Sequence, residues 1–253
     1  MKRIAVIVMI LVCSWYKLPA QNEVKNISIV LLPFQPEFYL SDAEHDIMTQ
    51  TRRTPDEYRQ YFRRVLDLKI QAELEGLGPC HSMLQDTTAN GKEWLEKFYE
   101  RAAYTYADPV GPRIAKKNEL KEKENKFKLM NDPHAAPATI TTRGDSKFMQ
   151  VEVRDTSFLS SLMSLHSANL LVSINQFEIK TNYNSCIDIA NKIYRRELLI
   201  HYSILQPNGK QVRGNFVMEF FPSNSNRDSD IAERSFPLIA TELRKQVEEL
   251  LSH

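Results

Sequence analysis

The sequence predicts an α/β (or α+β) fold: one mixed sheet of about five or six strands with helices on both faces, closed by an antiparallel hairpin and a final helix. Three observations carry that expectation. Residues 27–34 (ISIVLLPF) form a continuous apolar, β-branched run, as required of a strand covered on both sides. Strand-like and helix-like segments alternate from there onward. Near the end, Pro207-Asn208-Gly209 separates two alternating runs, a strong hairpin signal, and an amphipathic stretch follows.

Ahead of the first strand lies an export signal. Met1-Lys2-Arg3 is a basic start, residues 4–16 are almost wholly apolar, and Leu18-Pro19-Ala20 leads into Gln21. The apolar run is shorter than the about 20 residues a bilayer span needs. Residues 1–20 are therefore read as a cleaved signal peptide, and 21–253 as a single domain without a transmembrane span. Cys13 sits inside the apolar core rather than after it, which argues against lipidation. In a eukaryotic secretory pathway Asn26-Ile27-Ser28 would be a glycosylation sequon.

After the first strand, Ser41 or Asp42 is expected to cap a helix whose first acids, Glu44 and Asp46, complement its dipole. The same Ser41–Asp46 cluster has metal-ligating types, but no second ligand group has recognisable spacing. Thr54, Pro55 and Glu57 make an N-cap, first-turn proline and capping box for a helix over 55–75. Tyr58, Tyr61, Phe62, Val65, Leu66, Leu68 and Ala72 form its expected buried stripe, and Gly76 its end. Arg59, Arg63 and Arg64 stand opposite, a candidate grip on an anionic polymer or lipid, or a solvated face with Asp67 pairing Arg63.

A short strand is expected within 79–84, a turn at Asn90-Gly91 and a helix over 92–106. From about 107 to 146 the pattern breaks into a proline-flanked insertion. Its stretch 113–128 (RIAKKNELKEKENKFK) carries a local charge of +4. Lys116, Lys117, Lys121 and Lys123 are the candidate docking residues there. Beyond it come a strand over 148–153, a helix over 157–166 capped by Asp155 or Thr156, and a long strand over 169–179. A polar connection holding Cys186 then leads to hairpin strands over 195–205 and 214–221, a loop over 222–230, and the closing helix. Leu198, Ile200, Tyr202 and Ile204 share one face of the first hairpin strand, which leaves His201 on the other.

Composition narrows function by exclusion. The chain has 253 residues, 42% hydrophobic and 26% charged, an ordinary globular balance. Its formal charge of +1 becomes −2 once Lys2, Arg3 and Lys17 leave with the signal peptide, which argues against nucleic acid as a partner. With Cys13 removed, Cys80 and Cys186 remain as one possible disulfide or as two buried thiols. Adjacent Cys80 and His81 do not make a convincing nucleophile and base, because such pairs assemble from distant segments. No phosphate-cradling glycine motif, nucleophile elbow or zinc-binding spacing appears, so no cofactor, metal or catalytic residue is assigned.

The signal peptide ending in Ala20-Gln21 resembles those of secreted Bacteroidetes-type proteins. The opening strand over 27–34, the helix and strand over 158–179, the hairpin and the closing helix together resemble the α/β domain of envelope assembly proteins. That group includes the curli-secretion lipoprotein, the penicillin-binding-protein activator lipoproteins and the amino-terminal domain of the Tol propeller protein. About half the chain is covered. The resemblance implies an envelope accessory or binding role. The leading expectation is a non-enzymatic module, periplasmic, outer-membrane-associated or secreted, that docks an envelope protein or cell-wall component. Two other classes stand beside it: a small-molecule or glycan binder with a Tyr- or Trp-lined pocket at the sheet edge, and a hydrolase with clustered carboxylates or a Cys80–His contact in one cleft.

Overall fold

The first strand, β1 (Ile29–Leu32), is buried at every residue, and its neighbours explain why. It lies between β3 (Cys80–Ser82) and β6 (Leu170–Asp188), parallel to both. Ile29 and Leu31 enter one core, while Val30 and Leu32 enter another on the opposite face. The computed structural model describes residues 27–111 and 147–252.

The main sheet runs β3-β1-β6-β7-β8, with β7 (Ile193–Leu205) and β8 (Gln211–Pro222) antiparallel to their neighbours. Short β2 (Tyr39–Ser41) continues the line of β1 and pairs further along β6, Tyr39 opposite Phe177. Gly209, at φ 79°, turns the chain between β7 and β8. The first face is covered by α1 (Glu44–Thr51), α2 (Pro55–Leu74) and α5 (Asp228–Leu251), with Phe62, Phe177 and Phe236 meeting at its centre. The second is covered by α3 (Ala89–Arg101), α4 (Thr156–Leu165) and an antiparallel pair, β4 (Ala102–Ala107) and β5 (Phe148–Val153). The mixed α/β class, a six-stranded mixed sheet and the hairpin followed by a helix match the expectation.

Several local expectations are corrected. The helix expected over 92–106 starts at Ala89, capped by Thr88, and ends at Arg101. Tyr104 and Tyr106 belong to β4, because β5 pairs there across the insertion. Asp42 does not cap α1; its carboxylate accepts from the Thr181 backbone N–H and hydroxyl, fastening the end of β2 to β6. In α2 the capping box forms, but Leu68 is exposed and Ile70 and Leu74 take the buried stripe. Cys186 sits within β6, not in a connection, since that strand continues through Asp188.

Candidate functional site

Sheet pairing leaves one edge of β5 turned toward the main sheet, and side chains satisfy it. The Met149 N–H donates to His201 Nδ1 (2.8 Å) and the Val151 N–H to Ser203 Oγ (3.3 Å). Asn175 Nδ2 donates to the Met149 carbonyl and to Ser203 Oγ, both at 2.9 Å. Buried backbone groups need such partners. His201 thus reads as a structural residue that completes a buried strand edge. The contact fixes its neutral tautomer with the proton on Nε2, 3.7 Å from Glu178 Oε2. Burial lowers the proton affinity of His201, against the pull of Glu178. Burial would raise the Glu178 carboxyl, but hydrogen bonding and charge from His201 and Lys180 overcome it and its pKa falls. Tyr106, half exposed, donates to Gln176 over this strip at 3.0 Å.

Among the described site residues, Arg59 and Arg63 are engaged with separate partners. Arg59 pairs with Glu44 and lies over the Tyr39 ring. Arg63 donates to the Phe34 carbonyl (2.8 Å) and the Tyr99 hydroxyl (2.9 Å), tying α2 to the loop after β1 and to α3. Asp67, expected as the partner of Arg63, is buried and accepts from Ser82 and Gln85. Arg64 is exposed on α2. Lys116, Lys117, Lys121 and Lys123 lie outside the described residues.

Both described cysteines are free. Cys80 is level with Leu170 through Ile29, and Cys186 lies sixteen residues beyond Leu170 on β6. At ~3.3 Å per residue that separates them by on the order of 50 Å, far beyond disulfide reach. Burial pushes the Cys80 thiol up to about 12. Cys80 packs in the core on the α2 side, and neighbouring strand residues point to opposite faces. His81 instead stacks on His166, ring centroids 3.8 Å apart, with Asp86 Oδ2 3.6 Å from its Nε2. Those facts remove the Cys80–His81 pair as a catalytic unit. Among the described residues, no group of three His, Cys, Asp or Glu side chains is arranged to hold a metal ion. Nor is any helix there long and apolar enough to cross a membrane.

What sequence reading missed is an arm. β2 and its Asp42 clamp leave β6 at Thr181, and β8 leaves β7 near Arg195. Past those points the Tyr194 backbone still bonds Ser223 in both directions, and strand pairing continues between β6 and β7 with register shifts around Cys186. Tyr183 (68% exposed) and Ile189 (85%) are the two most exposed large apolar side chains among the described residues. Tyr183 meets Tyr194 edge-on at 5.3 Å. Asp188 shapes the tip by accepting from the Asn191 backbone and side chain. At the root, buried Arg196 binds Asp46, Asn226 and Thr181, so the arm stands on a hydrogen-bonded base. The exposed Tyr183 and Ile189 were the available signal, hidden inside what looked like a polar connection.

No protein-family model matches the chain, and no curated protein matches its sequence.

Proposed function

We propose that the protein is an exported, non-enzymatic envelope module that docks another protein of the periplasm or outer membrane through the β6–β7 arm. The observation that carries this reading is the arm itself: an aromatic and an aliphatic side chain held in solvent on a braced base. Exposed apolar side chains on a projection braced at its root suit docking. The export signal supports the location, and the basic run over 113–128 supplies a second expected contact. The polar strip around His201 favours no enzyme, since its groups are spent on the edge of β5.

The test places a photo-crosslinking amino acid at position 189 in intact cells, with a control at Leu238, which is exposed on α5. A recurrent adduct with one envelope protein from position 189 alone is the expected result. With the probe kept at 189, Tyr183→Asp should abolish capture while changing stability by less than about 1 kcal/mol. Equal background from both positions would overturn the reading. Deleting 113–128 without loss of the partner would remove the basic run from the interface but leave the arm.

A further inference from the structure

At the end of the sheet opposite the arm, a cavity of about 360 Å³ opens to solvent. Ile27, just before β1, and Leu170, the first residue of β6, form its inner wall. Val212 on β8 and Leu250 and Leu251 in the last turn of α5 form its sides. All five belong to, or pack against, the core between the sheet and helices α2 and α5. Asn169 and Gln206 complete the lining, the Asn169 amide oxygen already accepting from the Ser28 N–H at 3.2 Å.

We propose that this cavity binds a small uncharged molecule, mostly aliphatic or aromatic, with a single hydrogen-bonding group that meets the Gln206 amide. A solvent-open volume of about 360 Å³ falls within the range of small-molecule pockets. Aliphatic walls without facing atoms forgo dispersion contacts that an apolar occupant restores. None of the seven lining residues is charged. An ionised ligand would therefore lose hydration there without gaining a counter-charge. None of these described lining residues is Tyr or Trp either, so they offer no aromatic platform for a sugar ring. An amide can donate to a carbonyl or accept from a hydroxyl or N–H, which fixes the polar end. The proposal stands apart from the docking reading: the two sites lie at opposite ends of β6.

The test is a fluorescence titration of the mature chain with N-phenyl-1-naphthylamine, an uncharged two-part aromatic whose emission rises on leaving water. A saturable rise with one site per chain is expected. Val212→Trp and Leu251→Trp should each fill the cavity and weaken binding at least about tenfold, with circular dichroism unchanged. Leu251 lies in the last helical turn, so its variant keeps the test open if the Val212 variant folds poorly. The anionic 8-anilinonaphthalene-1-sulfonate should bind about tenfold or more weakly than the neutral probe. No saturable signal from the unmodified chain would overturn the proposal. So would binding that survives Leu251→Trp, or equal affinity for the two probes.

Discussion

Two residues show how much rests on positions that no motif marks. A Cβ at Gly214 would collide with the Phe148 ring, so this strand glycine lets the first side chain of β5 lie against β8. Gly214→Ala should lower unfolding free energy by about 1–3 kcal/mol in urea titrations. His201 makes a second prediction. It and His166 both hold a proton less readily than the ordinary histidine value of 6.5, burial being the main cause in each. The unfolded chain therefore takes up those protons first as pH falls. Stability should be fully present above pH 6.5 and decline below it, read as melting temperature between pH 7.5 and 5. His201→Asn keeps an acceptor for the Met149 N–H but removes the titration, so its decline should be shallower. An unchanged slope would clear His201 as the source.

Elements whose signals are local were legible, and those decided by pairing were not. Thr54-Pro55-Asp56-Glu57 fixes the start of α2 within four residues, and both capping-box bonds form there. Thr54→Ala should cost about 1 kcal/mol in thermal or chemical unfolding. By contrast, Ala102–Ala107 follows α3 without a break and carries tyrosines at spacings a helix also permits. Only β5, across the insertion, makes it a strand. The polar half of β6 is a strand for the same reason: β7 pairs with it. Short-range pattern cannot report a partner so distant in sequence, and the arm went unseen for that reason. His201 was placed on the correct face by alternation, but its role depended on β5.

At the scale of the whole molecule, the insertion is attached at nearly one place. Val110 bridges Gly214 on β8 as the chain leaves β4, and the returning strand sets Phe148 against the same glycine. Closing so short a gap costs little, and that cost grows slowly with loop length. Replacing residues 113–145 with a short Gly/Ser linker should leave the unfolding transition cooperative and its midpoint within a few degrees. A collapse of cooperativity would mean that the segment belongs to the core. The alternating order of strands and helices made the class of the fold readable. The division of the second face between helices and a separate strand pair depended on long-range contacts, and was not.

The long strand β6 also gives the molecule a direction. Ile29 lies level with Leu170 at the start of that strand, while Ile189 follows its last residue, Asp188. Nineteen residues at ~3.3 Å each amount to on the order of 60 Å. The chain thus enters the sheet at one pole and displays Ile189 at the other. Were its amino-terminal end held against a surface, the body would stand between that surface and the arm. Tyr183 and Ile189 would then face outward, like a probe on a mast, toward whatever lies across the gap.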